Sequence, residues 1–255
     1  MEEKNKLLFY ALKYKGDWDR IITAINFEEE IDKEEFDVAF KKMNCKYITI
    51  LDPEYPSSFK HIHKPPLVLF YYGDLSLLTN RNLLGIVGSR HPTNYGKNVC
   101  EELIRGLEIK NVVIVSGLAK GIDSIAHKMA LRKKIKTIAI LGVGIDYCYP
   151  KENFELYNKI KEEGLIISEY PYKEVVCKKN FPLRNRLVAA LSDVLFIPDV
   201  KEKSGTQITI RFALEEGKDI LVVPSSIFEG LNNNFLISQG AIPVMSSKDI
   251  EEYLK

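Results

Sequence analysis

The chain has 255 residues, of which 45% are hydrophobic and 28% are charged, and its formal net charge at pH 7 is +1. These values are ordinary for a soluble globular protein, and the length suits one principal domain with a smaller appendage. The four cysteines are widely separated and form no CxxC pair, which argues against a zinc site and against a disulfide framework.

The N-terminal apolar run is too short for a secretory signal, and no segment approaches the length needed to span a bilayer. We therefore expect a cytoplasmic protein with reduced thiols and no membrane contact. The net charge hides an asymmetry, because residues 81–211 carry 22 basic and 14 acidic residues. Most of these lysines keep helix faces solvated, but the excess also favours an anionic ligand on the central segment.

Residues 1–45 predict a small helical module, in which "KNKLLFYALKY" and "DKEEFDVAFKKM" are two short helices separated by an acidic turn. Residues 46–80 contain four of the eleven prolines and predict an extended connector that packs on the main domain. We assign the remaining residues, 81–255, to that main domain.

From residue 83 onward, short β-branched runs alternate with amphipathic stretches of helical length. The runs lie at 83–88, 112–117, 137–142, 165–168, 194–198 and 220–224. Because their hydrophobicity is continuous, we expect strands buried on both faces, as in a parallel sheet covered by helices. The sequence predicts an α/β fold with a doubly wound, mostly parallel sheet and ligands at the carboxyl ends of its strands.

The segment "GSRHPTNYGK" at 88–97 follows the first of these strands and has the parts of an oxyanion site. Gly88 permits a tight turn, and Thr93 or Asn94 can cap the next helix. Arg90 adds a forked donor to the free amides of that helix. However, the GxGxxG and GxxxxGK[ST] patterns are absent, which argues against a nicotinamide, flavin or P-loop site. Taken alone, the turn is equally compatible with an incidental arginine.

A second candidate turn, "SGLAKGIDSIAH" at 116–127, offers two glycines, Lys120 and a run of backbone amides at a helix start. Asp123 and His127 stand four residues apart and resemble half of a metal site. No further ligand lies nearby in sequence, so we expect structural roles for both and no bound metal. Tyr149 follows the next strand and is expected to pack against the sheet edge.

The strongest chemical signal is "KKNFPLRNRL" at 178–187, where four cations surround Phe181 and Asn185 at a helix start. Arginines make forked contacts with phosphates, and an aromatic ring among them can stack on a base. This combination suits single-stranded nucleic acid better than a compact nucleotide. The "SGT" segment at 204–206 opens another helix and again suits a phosphate. No nucleophile–base pair stands out, so we expect neither an enzyme nor a cofactor.

Seven segments, in this order, resemble the DNA-processing protein DprA (Smf) family of bacteria: "GIVGSRHPTNYG", "SGLAKGIDSIAH", "TIAILGVGIDYCYPKEN", "ISEYP", "FPLRNRLVAALS", "SGTQITIRFALEEGK" and "NFLISQGA". The resemblance covers roughly residues 50–245, and a co-ordered set is far more specific than one motif. It implies a Rossmann-like domain that binds single-stranded DNA, forms a homodimer and loads the RecA recombinase during natural transformation.

The resemblance also implies which residues contact the DNA, through the GSR turn, the FPxRNR motif and the adjacent Lys179 and Thr206; Lys120 is added from the turn at 116–127. The predicted set is Gly88, Ser89, Arg90, Lys120, Lys179, Phe181, Arg184, Asn185, Arg186 and Thr206. The chain departs from the family pattern at "YKEVVCKKN", which replaces a turn with glycine and proline, and at Pro198–Asp199, which replaces Glu-Ala. We also expect no C-terminal winged-helix domain of the kind that many members carry.

Two alternatives use the same scaffold. A phosphoribohydrolase-like enzyme would cut a nucleoside monophosphate, with residues 204–206 as its phosphate turn and Glu169, Asp199 or Glu202 as its acid. The chain lacks the PGG start of that turn, and the basic segment would have no use in such an enzyme. The other alternative is a nucleotide-sensing module whose small ligand is not cleaved.

Overall fold

One nine-stranded sheet organises residues 3–172 and 177–254, which the computed structural model describes. Its strands are β1 (Lys46–Thr49), β2 (Val68–Gly73), β3 (Asn82–Ile86), β4 (Val112–Ser116), β5 (Lys136–Leu141), β6 (Leu165–Ser168), β7 (Val194–Ile197), β8 (Asp219–Val222) and β9 (Ile242–Pro243). Their order across the sheet is β1-β2-β6-β5-β4-β3-β7-β8-β9. The pairs β1–β2 and β2–β6 are antiparallel, and the other pairs are parallel.

The helices lie N-terminal to the sheet and on both of its faces. They are α1 (Glu3–Lys13), α2 (Trp18–Asn26), α3 (Lys33–Lys41), α4 (Asn94–Gly106), α5 (Ile122–Arg132), α6 (Phe154–Glu163), α7 (Asn180–Leu191), α8 (Thr206–Glu215), α9 (Asn233–Ser238) and α10 (Ser247–Glu251). This confirms the predicted α/β fold, a doubly wound, mostly parallel Rossmann-like sheet with a helical N-terminal region. None of the described helices is long and apolar enough to cross a bilayer.

The continuous apolar runs follow from burial on both faces of the sheet. In β4, Val113 and Val115 belong to the core under α7 and α8, whereas Val112 and Ile114 belong to the core under α4 and α5. Successive strand side chains point to opposite faces, so both sets must be apolar when helices cover both faces.

The first 80 residues of the chain differ from the prediction in two ways. They contain a third helix, α2, which begins after Asp17, whose side chain accepts a hydrogen bond from the Arg20 amide at 3.2 Å. The connector contributes β1 and β2 to the sheet edge, with Phe70 opposite Ser168 of β6. The helices and β2 share one apolar core, which joins Phe9 to Phe70.

The direction in which successive strands are added to the sheet reverses between β3 and β7. Strands β3 to β6 are laid down successively on one side, and the chain then returns to place β7 beside β3. At such a switch point, the connections that leave the two strands part in opposite directions and open a crevice beyond their carboxyl ends. The turns at 88–91 and 198–206 border that crevice.

Candidate functional site

A groove with two lobes crosses the carboxyl ends of β3, β4, β5 and β7. The larger lobe has a volume of about 380 Å³ and the smaller about 220 Å³. Five residues line both lobes: Arg90, His91, Gly117, Ala119 and Arg184. Because the two lobes share these five residues, they are parts of one groove that runs across the carboxyl ends of the strands.

The larger lobe lies between the turn that follows β3 and the turn that follows β7. Backbone and side-chain hydrogen bonds tie the two turns together. The Ser89 amide donates to the carbonyl of Asp199 at 2.8 Å, and the Thr206 hydroxyl donates to the carbonyl of Gly88 at 3.0 Å. The lobe is thus bordered by a turn whose shape is fixed from both sides.

Asp199, a position where the chain departs from the family pattern, holds the same turn from below. Its Oδ2 accepts hydrogen bonds from the Thr93 amide at 2.9 Å and the Thr93 hydroxyl at 2.8 Å. The Thr93 hydroxyl oxygen in turn accepts from the Gly96 amide at 2.9 Å and caps α4. A buried carboxylate with these partners is part of the scaffold and does not reach a ligand in the groove.

Arg184 places a buried positive charge between the two lobes. Its Nη1 donates to the carbonyl of Gly117 at 2.6 Å and to the carbonyl of Ile140, and its Nε donates to Asn185 Oδ1 at 3.1 Å. Nη2 has no hydrogen-bond partner within the described residues. Burial lowers the pKa of the guanidinium to about 10, so Arg184 remains protonated at neutral pH.

Gly117 is required by the close approach of Arg184. A Cβ at position 117 would lie 2.5 Å from Arg184 Nη2 and 2.6 Å from its Cζ. Only a residue without a side chain therefore lets the guanidinium rest on the end of β4. The glycine that the sequence offered as part of an anion turn serves to seat a buried arginine.

Among the described residues that line the groove, one is acidic, and this is Asp123. Its Oδ2 accepts hydrogen bonds from the amides of Gly117 at 3.1 Å and Ala119 at 3.3 Å. Burial raises the pKa of this carboxyl, while the nearby charge of Arg184 and the two amides act in the opposite direction. Asp123 thus orders the β4–α5 turn, the kind of helix-start role expected from its sequence position.

The smaller lobe is built around the ring of Phe181. The Arg90 guanidinium lies 5.8 Å from the centroid of that ring, and the Tyr149 ring centroid lies 5.4 Å from it. A Cβ at Gly142 would lie 2.9 Å from Phe181 Cδ1, so the ring rests directly on the end of β5. Lys120 also lines this lobe and forms an ion pair with Glu152 at 2.6 Å.

Most of the sequence-predicted site residues meet at this groove. Those that line it are Gly88, Ser89, Arg90, Lys120, Phe181, Arg184, Asn185 and Thr206. Lys179 is not among the lining residues; its side chain is 76% exposed and lies 3.8 Å from Asp17. It precedes α7, after residues 173–176 of the divergent "YKEVVCKKN" segment, which lie outside the described residues.

Arg186 requires a correction. It lies outside the groove and is only 1% exposed, and all three of its guanidinium nitrogens are already engaged. They donate to both carboxylate oxygens of Glu169 and to the carbonyls of His63, Lys64 and Leu183. Because no donor of Arg186 is left to face a ligand, the expected phosphate contact is replaced by a structural one.

Sequence reasoning missed other groove residues. Lys201 and Lys203 line the larger lobe and, with Arg90, form no ion pair within the described residues. Their position directly before the "SGT" turn was a signal that could have found them. The groove therefore carries exposed cations on its rim and one buried cation at its centre, and attracts anions.

A family model described as DNA recombination-mediator protein A matches residues 46–255 of this chain. DNA processing protein DprA of Bacillus subtilis is 39% identical over 218 residues, which make up 85% of this chain and 73% of that protein. DNA processing protein DprA of Streptococcus pneumoniae is 41% identical over 223 residues, 87% of this chain and 78% of that protein.

Two solved structures share both the fold and the sequence pattern. The X-ray structure of Streptococcus pneumoniae DprA has a TM-score of 0.82 and 34% identity, and the match covers 100% of this chain and 99% of that one. Helicobacter pylori DprA, described for its single-stranded DNA binding mode, has a TM-score of 0.74 and 35% identity over 82% of this chain and 95% of its own. The chain belongs to the DNA recombination-mediator protein A (DprA) family.

Proposed function

We propose that this protein binds single-stranded DNA along the two-lobed groove and acts as a cytoplasmic mediator that loads a RecA recombinase on the strand. The observation that carries the proposal is the Arg90–Phe181 pair, in which the guanidinium carbon lies 5.8 Å from the ring centroid; Phe181 lines the smaller lobe and Arg90 lines both. An exposed guanidinium beside a half-buried ring offers a phosphate contact next to a stacking surface. Unpaired bases can reach such a ring, whereas paired and stacked bases cannot.

The distribution of charge supports a chain of phosphates over a single one. Lys201 and Lys203 border the larger lobe, Arg184 lies between the lobes and Lys120 borders the smaller one. Spread along the sheet edge, these cations match a backbone that carries one charge at every nucleotide. A mononucleotide in the smaller lobe would leave Lys201 and Lys203 of the larger lobe without a ligand.

None of the three acids named for the phosphoribohydrolase alternative lines the groove. Glu169 is buried against Arg186, and Asp199 is buried against Thr93. Glu202 is not among the residues that line the groove. A glycosidic bond in the groove would therefore have no carboxylate from this set within reach of the sugar.

The second part of the proposal is that the protein forms a homodimer and that this dimer binds the recombinase. The segment beyond residue 205 exposes several large apolar side chains, which are Leu214, Ile227, Phe228, Phe235 and Met245. Where exposed apolar residues form a contiguous patch, they mark a protein–protein contact surface. We assign the homodimer contact to this segment and the recombinase contact to the DNA-bearing dimer, in keeping with the family.

A competition titration tests the DNA-binding proposal. A labelled oligothymidylate is bound to the protein and displaced by unlabelled single- or double-stranded DNA across a salt series, with the protein mass followed in parallel. We expect single strands to compete better, with log K falling by about 0.7 per neutralised phosphate for each log unit of salt. Equal competition by duplex DNA, or affinity independent of salt, would overturn the proposal. Release of a free base from nucleoside monophosphates would favour the enzyme instead.

A further inference from the structure

Tyr149 differs from a tyrosine that only packs against the sheet edge. The residue is 43% exposed, and within residues 3–172 and 177–254 its hydroxyl makes no hydrogen bond. By contrast, the buried Tyr157 donates its hydroxyl to the carbonyl of Ile145 at 2.7 Å. A packing tyrosine usually buries its ring and satisfies its hydroxyl, so packing alone does not account for Tyr149.

The position of Tyr149 is set by the groove. Its ring centroid lies 5.4 Å from that of Phe181, with 41° between the ring planes, and Phe181 is also the neighbour of Arg90. The three side chains form a continuous row along the smaller lobe, with Phe181 in contact with both others. Gly142 fixes the row from below, because the Phe181 ring rests on it.

The row leaves one place for a second base. Two rings that hold a base between them need about 7 Å between their planes, since each layer of atoms requires about 3.5 Å. Phe181 and Tyr149 are 5.4 Å apart and tilted, so no base fits between them. A second base must therefore stack on the exposed part of the Tyr149 ring.

We propose that Tyr149 is a second base-stacking residue of the groove, so that the smaller lobe binds two neighbouring unpaired bases, one at Phe181 and one at Tyr149. The lining of the lobes fits this division: the smaller contains Leu141, Val143 and Pro150, whereas the larger contains Lys201 and Lys203. The inference rests on the proposed function, because it assigns parts of the strand to parts of the same groove. Stacking on rings tolerates any base, so it adds affinity without sequence preference.

The test measures binding of the full chain to a short oligothymidylate and to the same strand with single abasic sites placed at each position in turn. We expect Tyr149→Ala to weaken binding of the intact strand by about five- to 150-fold, the range for loss of one base–aromatic stack. The abasic scan on the unmodified protein should find two sensitive neighbouring positions. In Tyr149→Ala one of the two should lose its sensitivity.

Two variants control for the hydroxyl and for folding. Tyr149→Phe keeps the ring and should bind as tightly as the unmodified protein, since the hydroxyl has no partner among the described residues. Phe27→Ala removes an exposed ring on the N-terminal region, outside the groove, and should change nothing. Urea unfolding of each variant separates loss of binding from loss of fold.

The outcomes separate this inference from the proposed function. If the unmodified protein binds the strand but Tyr149→Ala binds it equally well, the inference is wrong and the function stands. The inference is also wrong if Tyr149→Ala weakens intact and abasic strands by the same factor at every position. If the unmodified protein does not prefer single strands, the proposed function fails and the inference fails with it.

Discussion

The guanidinium of Arg186 donates to both carboxylate oxygens of Glu169, at 2.8 and 2.6 Å, and neither residue is more than 6% exposed. The same guanidinium donates to the carbonyls of His63 and Lys64 in the connector. The pair thereby joins α7, the chain that follows β6 and the segment that precedes β2. Arg184, two residues earlier on α7, instead borders the groove.

Arg186→Ala should destabilise the fold. Removing one partner of a buried ion pair leaves the other charge without compensation, and we expect a loss of about 3–5 kcal/mol in the free energy of unfolding. Urea denaturation measures it. The double variant Arg186→Met/Glu169→Leu removes both charges and should recover most of that loss, because a neutral pair leaves no buried charge.

A different result would show that Arg186 contacts the DNA. If Arg186→Ala unfolds at the same urea concentration as the unmodified protein yet loses affinity for single strands, then Arg186 is a DNA ligand. Replacing both Arg184 and Arg186 should also destabilise the fold, because both side chains make buried hydrogen bonds.

The contrast between Arg184 and Arg186 shows how far the site residues could be predicted from the sequence alone. The FPxRNR pattern placed both at a helix start near the groove. On a helix, however, residues two apart do not face each other, so Arg184 and Arg186 point to different sides of α7. Sequence spacing alone could have excluded one of them. Deciding which one faces the groove required knowing where Glu169 lies, 17 residues away in sequence.

The parallel strands β3 to β8 were predicted well because each is a continuous apolar run, a signal contained within the strand itself. Strands β1 and β2 were missed for the opposite reason. Their pairing is antiparallel, at the edge, and joins residues far apart in sequence, such as Phe70 and Ser168. Tyr149 was likewise expected to pack, since nothing local tells how much of a ring a distant Phe181 will cover.

Arg90→Ala should weaken binding of single strands and reduce its dependence on salt. If Arg90 contacts one phosphate, the slope of log K against log salt should become shallower by about 0.7. Arg90→Lys should restore the slope but not the full affinity, because an ammonium lacks the planar fork that lies beside Phe181. Arg105→Ala is the matched control, since Arg105 is exposed on α4 and pairs with Glu102. If the slope of log K against log salt is unchanged in Arg90→Ala, Arg90 does not contact a phosphate of the strand.

Gly142→Ala should impair DNA binding more than it impairs folding. The new Cβ would lie 2.9 Å from Phe181 Cδ1, so the half-buried ring must move off the end of β5 and leave the row with Tyr149. Fluorescence anisotropy with an oligothymidylate should show weaker binding, on the scale of one lost stack, about fivefold or more. Thermal unfolding should change little, because the ring can shift toward solvent.

Gly205→Ala is the control for Gly142→Ala. Gly205 also lines the groove, but a Cβ there has nothing within 4 Å, and its φ of −62° is accessible to any residue. Stability should match that of the unmodified protein, and binding should fall less than in Gly142→Ala, because a Cβ at Gly205 displaces no side chain of the groove. If Gly142→Ala and Gly205→Ala bind single strands equally well, the contact between Phe181 and Gly142 does not contribute to DNA binding.

His127 should make the fold sensitive to mild acid. The Thr137 hydroxyl donates to the carbonyl of Ile114 at 2.8 Å, so its oxygen accepts from His127 Nδ1 at 2.7 Å. Nε2 is then unprotonated, and this buried atom has no partner among the described residues. Burial, together with the charge of Arg184, lowers the pKa of His127 from 6.5 to about 3.

The folded and unfolded chains therefore bind different numbers of protons in mild acid. Between pH 6.5 and 3 the unfolded chain protonates this histidine and the folded chain does not, so stability is complete above pH 6.5 and falls as the pH drops through this window. The contribution of one histidine is at most about 1.4 kcal/mol per pH unit. His127→Leu removes this contribution and leaves the carboxylates unchanged. In urea titrations, the stability advantage of the unmodified protein over His127→Leu should therefore shrink from pH 7 to pH 4.5. A constant difference at the two pH values would show that His127 is protonated equally in both states.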